Sequence, residues 1–263
     1  MDLDGRDFLV FEKVDKVFID RQYRRVAALE EISFSVKAGE FLSIVGPSGC
    51  GKSTILRIAA GLDHPTKGKV TMEGQDIEGP GRQRGLVFQS YNAFPWLTVR
   101  ENIAFGLQKA SGSAEKVSKW LEDLGMMEFA GYYPKVLSGG MRQRLALARS
   151  MIVEPRLLLL DEPVGALDER TREAMQQLLL SITSRNGCTV LFVTHDGRES
   201  VLLSNRVLVL SPRPGRVRST IVSTLNQPRS RELYGTPEFE LLYARITDRW
   251  EPEQSLAPLE GRR

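Results

Sequence analysis

Apolar and polar positions alternate with two different periods along this chain, and the changes of period divide it into elements. Ile32, Phe34 and Val36 alternate with Ser33, Ser35 and Lys37, which predicts a half-buried strand, and Phe8 to Phe11 predicts another before it. The charged stretch Asp20 to Arg25 between them reads as a hairpin loop. After a turn at Ala38-Gly39-Glu40, the unbroken apolar run Phe41 to Val45 predicts a buried strand, and Ile55 to Ala60 predicts a helix that stops near Gly61. Asp63 to Asp76 reads as a turn and strand with Val70 and Met72 on one face, and Gly85 to Phe88 as a short apolar run.

The period then changes. Thr98 and Glu101 have the spacing of a capping box and predict a helix through Leu107. Val117, Trp120, Leu121 and Leu124 recur at i, i+3, i+4 and i+7, so Ser113 to Leu124 is a second helix with Gly125 as its stop. From about Pro95 to Val136 the chain is mainly helical. Ser138-Gly139-Gly140 opens a helix with Met141, Leu145, Ala148 and Ile152 on one face and Pro155 at its end. The four leucines Leu157 to Leu160 predict a strand buried on both sides. Asp168 caps a helix with Met175, Leu178, Leu179 and Ile182 as its stripe and Asn186-Gly187 as its end. Thr189 to Thr194 and Arg206 to Leu210 are strands. The run Pro212-Arg213-Pro214-Gly215-Arg216 reads as a solvated turn, with a regulatory contact as the alternative. A short helix follows at Glu238 to Ile246, then a polar tail from Glu251.

Composition alters this picture little. The 263 residues suffice for a sizeable core, and 36 Lys plus Arg against 33 Asp plus Glu leave a formal charge of +3, too mild to argue for nucleic acid. The two cysteines, Cys50 and Cys188, lie in no metal-type cluster, which suits a reducing compartment. Met1 to Asp7 carries Asp2, Asp4, Arg6 and Asp7 where a secretory leader would be apolar. No apolar run approaches the roughly 18 residues that cross a bilayer. Membrane work would therefore need another chain.

Candidate chemistry collects at the ends of strands. Gly46-Pro47-Ser48-Gly49-Cys50-Gly51-Lys52-Ser53-Thr54 lies between a strand and a helix and has the Walker A spacing, in which backbone N–H groups and a helix start converge on phosphate oxygens. Lys52 would reach the β- and γ-phosphates, and the Ser53 hydroxyl would ligate Mg²⁺. Asp161 follows the leucine strand at the place of a Walker B carboxylate, and Glu162 beside it has the chemistry of a general base. Gln89 is placed to orient water and touch Mg²⁺, and His195 to contact a γ-phosphate as charge moves onto it. In an open parallel sheet the carboxyl ends of the strands gather ligands, so one pocket can hold all four.

Leu137 to Arg144 presents a different problem. Arg142 and Arg144 stand near a helix start, where the dipole favours acidic residues, and an anion arriving there would resolve the conflict. Gly139-Gly140 leaves the backbone bare for its approach. Two phosphate-seeking helix starts in one chain point to two surfaces of one nucleotide, the second supplied by another subunit.

In order and spacing these residues resemble an ABC transporter ATP-binding subunit from roughly Phe8 to Leu210: Walker A at Gly46 to Thr54, Q-loop Gln89, signature Leu137 to Arg144, Walker B Leu157 to Asp161 with Glu162 following, and switch His195. The resemblance implies an α/β P-loop NTPase core over residues 8–210 with an antiparallel β subdomain, an inserted helical subdomain at about 95–153, and a C-terminal extension over 211–263. It implies ATP hydrolysis with Mg²⁺ held by Ser53, Gln89 and Asp161, with Glu162, His195 and Gln89 catalytic. Ser138, Gly139, Gly140 and Gln143 of one copy would act on ATP bound to a second copy, and Asp168 would be the D-loop aspartate at that dimer interface. Phe18, or else Tyr23, would stack on adenine. The D-loop differs from the family's usual Ser-Ala-Leu-Asp in having Gly165 before Ala166-Leu167-Asp168. Phe94 to Thr98 and Leu210 to Arg216 are most similar to the nitrate, sulfonate and taurine importer subgroup. That implies a peripheral subunit on the cytoplasmic face of the membrane, partnered by permease subunits and indirectly by an external solute-binding protein, and no nucleic acid. The rings from Tyr91 to Trp96 would help receive the permease. The rival class, a soluble ABC ATPase of DNA repair or translation, usually has two cassettes or a long coiled-coil insertion, and neither pattern is present.

Overall fold

The first two long strands set up a small antiparallel layer. β1 (Asp7–Ile19) and β2 (Arg25–Lys37) form the hairpin expected around Asp20 to Arg25, with Ile19 paired to Arg25. The Asp20 side chain closes the loop by accepting from the backbone N–H groups of Gln22 and Arg24. The structure, a computed structural model, describes residues 7–89, 93–107, 113–165 and 167–250, and of 182–186 only the backbone. Tyr91 of the expected ring cluster, Ala166, the Ile182 side chain, the tail from Glu251 and residues 1–6 of the charged start lie outside these residues.

β3 (Phe41–Val45) runs into the phosphate loop, and α1 (Lys52–Ala59) leaves it. β4 (Lys67–Met72) and the short β5 (Gln75–Asp76) return to the first layer, whose order is β2-β1-β4-β5. β6 (Arg84–Val87) enters the main sheet. Then come α2 (Val99–Ala104), α3 (Ser113–Asp123) and α4 (Gly139–Met151). The Thr98–Glu101 capping box is present with both of its hydrogen bonds. The helix stops before Leu107 because Gly106 lies against Val153, where a Cβ would come within 2.6 Å of a valine methyl.

β7 (Leu157–Asp161), α5 (Glu169–Asn186), β8 (Thr189–Val193), α6 (Gly197–Leu203), β9 (Arg206–Leu210), β10 (Val217–Val222) and α7 (Pro237–Trp250) complete the chain. The main sheet has the order β10-β9-β3-β8-β7-β6, parallel except for β10. Runs that read as unbroken apolar blocks divide residue by residue between its two faces, because strand side chains alternate. Leu42, Ile44, Leu157, Leu159, Leu191 and Val193 pack toward α1 and the antiparallel layer. Phe41, Val45, Leu158, Leu160, Val190 and Phe192 pack toward α4 to α7. A third cluster, with Val99, Ile103, Leu121, Leu145 and Ile152, lies within the helical segment.

Two elements have no counterpart in the sequence reading. α6 is capped by Asp196, which accepts from the N–H groups of Arg198 and Glu199, a local signal that the short Asp-x-x-Glu spacing does carry. β10 pairs with β9, and Ile221, Phe239, Leu242 and Ile246 join the main core. The chain beyond 210, set apart on composition as an extension, thus continues the main sheet. The turn at 212–216 is solvated at Pro212, Arg213 and Arg216, while Gly215 is buried. Gly215 donates to Ala28 O and accepts from Glu30 N, both at 2.9 Å, and a Cβ on it would lie 2.1 Å from Cys50 O.

Candidate functional site

The phosphate loop is shaped by three left-handed glycines, Gly46, Gly49 and Gly51, with φ of 156°, 77° and 100°. Lys52 is buried beneath it and donates to Gly46 O at 2.7 Å and Pro47 O at 3.0 Å. Its ammonium is thereby held against the loop that would surround a phosphate. The Ser53 hydroxyl donates to Asp161 Oδ1 at 3.0 Å, so the two oxygen donors expected to share a cation are adjacent. Burial raises the Asp161 pKa, the Ser53 hydrogen bond opposes this, the charge of Glu162 adds to it, and Lys52 opposes it. A cation beside Asp161 would relieve both the burial and the Glu162 repulsion.

Glu162 is the meeting point of the other two. Gln89 Nε2 donates to Glu162 Oε2 at 3.1 Å, and His195 Nδ1 lies 3.1 Å from the same oxygen. Glu162 has φ of 45°, a left-handed conformation unusual for a non-glycine residue, and its N–H is tied to Val193 O at 2.9 Å. The ends of β6 and β8 thus bring two side chains to the carboxylate that follows β7. A hollow of about 400 Å³ lies over the loop, lined by Phe18, Ala28, Ser48, Gly49, residues 51–54, Glu162 and Arg213. Its size and its mixture of ring, bare backbone and charge suit a nucleotide.

A family model described as ABC transporter matches residues 29–165. Nitrate import ATP-binding protein NrtD of Synechocystis sp. is 46% identical over 224 residues, covering 83% of each chain. Aliphatic sulfonates import ATP-binding protein SsuB of Bacillus thuringiensis subsp. konkukian is 42% identical over 240 residues, 91% of this chain and 94% of that one. The solved ATP-binding cassette MJ0796, a dimer in a post-hydrolysis state with ADP and Pi, superposes with a TM-score of 0.73 at 32% identity, covering 81% of this chain and 98% of that one. This chain belongs to the ABC transporter family.

It is an ATP-binding domain of that family, and its signature lies apart from the loop hollow, to which no signature residue contributes. Ser138 is exposed and caps α4, its hydroxyl accepting from Met141 N at 3.3 Å. Gln143 is only 1% exposed and packs inside its own chain. Gly140 is also buried, and its missing side chain admits Thr171: a Cβ there would sit 2.1 Å from the threonine methyl. Arg144 Nη1 donates to Leu124 O at 3.3 Å, just past the C-terminal end of α3.

The close approach of Gly140 to Thr171 links the start of α4 to α5. Thr171 donates through its N–H and its hydroxyl to Asp168, at 3.0 and 2.7 Å, and these bonds, the hydroxyl's first, lower the Asp168 pKa. Gly165, where the family usually has serine, faces His195: a Cβ would lie 3.2 Å from His195 Cε1. Of the two adenine candidates, Phe18 lines the hollow, with Lys16 Nζ 4.9 Å from its ring centroid. Tyr23 sits at the hairpin tip, 90% exposed, and does not line it.

Sequence reasoning missed Ala28, Arg213 and the buried carboxyl of Glu199. Glu199 accepts from Thr194 Oγ1 at 2.8 Å and lies 3.7 Å from Arg172 Nε of α5. Burial raises its pKa to about 7, with the charge of Asp196 adding to the rise. Only the fold places these residues, since none belongs to a local pattern that names a role.

Proposed function

We propose that this chain is the ATP-hydrolysing subunit of an importer that takes up a small anionic solute, of the class of nitrate, sulfonates or taurine. The observation that carries the proposal is a nucleotide hollow complete on the loop side, paired with an exposed signature start that the same chain does not bring to it. Two copies head to tail would supply each ATP with both surfaces. The dimeric neighbour and the two named import proteins support this arrangement.

In the proposed reaction the loop amides and Lys52 hold the β- and γ-phosphates, while Ser53, Asp161 and Gln89 offer oxygen donors to Mg²⁺. So few protein ligands suit a cation that retains waters and binds substrate oxygens. Mg²⁺ supplies charge neutralisation at those oxygens. Glu162 takes the proton of the attacking water, and Gln89 and His195, both on its Oε2, hold that carboxylate in place. The signature residues Ser138, Gly139, Gly140 and Gln143 act on ATP held by the other copy, with Ser138 and Gly140 at its γ-phosphate, Asp168 lies at the interface, and Phe18 stacks on adenine.

Among the described residues no helix is long and apolar enough to cross a membrane, which fits a peripheral subunit on the cytoplasmic side with a separate permease. A docking surface for it lies on the helical segment. Trp96 and Phe105 are 67% and 61% exposed, and both rings pack against Phe94, over which Arg149 lies at 4.5 Å. The test is reconstitution of this chain with candidate permease and solute-binding proteins. Nitrate or a sulfonate should stimulate ATPase activity and accumulate in vesicles. Recovery of the native protein with ribosomes or DNA, and with no membrane protein, would sink the transport reading.

A further inference from the structure

The strap from Ser211 to Arg216 puts a cation at the rim of the loop hollow that none of the nucleotide motifs supplies. Its backbone is held on both flanks. Gly215 bridges Ala28 and Glu30 of β2, and its bare Cα faces Cys50 O of the phosphate loop. Ser211 closes the turn, its N–H donating to Arg216 O and its hydroxyl accepting from Arg216 N, both at 3.0 Å. Arg213 then reaches forward, and its Nε donates to Ala27 O at 3.0 Å. Ala27 is the register partner of Val17, the residue before Phe18. The guanidinium is therefore fixed beside the strand pair that carries the ring. Among the described residues neither Nη has a hydrogen bond or ion pair.

A planar cation fixed at one edge, with both Nη groups unspent, beside an aromatic ring and over a hollow of about 400 Å³ has the chemistry to pack on a purine base. The phosphates need no further cation here, because Lys52 lies under the loop. We propose that Arg213 is a nucleotide-binding residue whose guanidinium plane packs on the adenosine end of ATP, beside Phe18. This rests on the hollow being the ATP site.

The test is equilibrium binding of ATP, ADP and inorganic tripolyphosphate to the full chain, its R213A variant and its R213K variant, with thermal unfolding of each in the absence of nucleotide. Both variants should bind ATP and ADP about three- to tenfold more weakly, by the same factor, because lysine offers a charge without a plane. Tripolyphosphate binding and the nucleotide-free unfolding midpoint should not move. Unchanged ATP affinity overturns the proposal, as does a parallel loss for tripolyphosphate, which would make Arg213 a phosphate contact. A lowered midpoint that accounts for the weaker binding also overturns it, by assigning Arg213 to holding the strap. Failure of the unsubstituted chain to bind ATP would instead overturn the reading of the hollow itself.

Discussion

The phosphate-loop face and the signature face are both built on helix starts, yet they have been given opposite designs. At the loop, Lys52 is held by the Gly46 and Pro47 carbonyls, Ser53 by Asp161, and Gln89 and His195 by Glu162, before any ligand arrives. At the signature, Ser138 caps its own helix, Gln143 and Gly140 are buried, and Arg144 is spent on the end of α3. A preorganised site costs little to complete when its ligand binds, whereas in the proposed dimer a face with only a helix start and one exposed hydroxyl would serve as a lid on the other copy's site. The chain thus holds one finished half and one dependent half.

The strongest way to break that comparison is to remove the base. Glu162→Gln should lower steady-state ATPase by a factor of about 10² to 10⁴ while leaving ATP binding intact, and should accumulate an ATP-bound dimer on size exclusion. Unchanged turnover would remove Glu162 from its role. Next in size, Ser138→Arg should cost about 10² in turnover by blocking the lid, with fluorescent ATP still bound by the monomer at its original affinity. Loss of monomer binding would mean that the two faces share a site within one chain.

Glu199 joins the halves, since α6 follows His195 and its carboxyl faces Arg172 of α5, the helix that packs on the signature. Its folded pKa of about 7 lies above the ordinary 4.5, so the native state binds a proton that the unfolded chain has released. Its contribution to stability is full below about pH 4.5 and is lost as pH rises through about 7. Unfolding free energies from denaturant titrations should fall across that window by no more than about 3 kcal/mol, and Glu199→Gln should flatten this component. A slope unchanged in the variant would assign it to other groups. The smallest effect expected is for the strap: Gly215→Ala forces a Cβ onto Cys50 O and should cost about 2 kcal/mol in urea unfolding. An unchanged midpoint would show that the strap yields freely.

Much of the main sheet and nearly all of the loop half were legible beforehand, because both are written in local code. Leu157 to Leu160 states its burial in its own composition, and glycines spaced around a lysine state a backbone shape. The contact of Arg144 with Leu124 O was not legible, because that partner lies 20 residues earlier. α6 was passed over as too short to show a period, and β10 because Val217 to Val222 alternates weakly and lies behind a proline-rich turn.

What the sequence by itself determined is the kind of chemistry: a strand, a glycine loop with Lys52 and Ser53, and a carboxylate pair after a buried strand can be read without coordinates, since each depends on neighbours along the chain. Only the tertiary structure decided which groups meet. It brought Gln89 and His195 to one oxygen of Glu162, set Gly140 against Thr171, and drew Arg213 from a turn to the edge of the nucleotide hollow. Those contacts join residues tens to hundreds of positions apart, and their energies depend on packing and desolvation that no local stretch encodes.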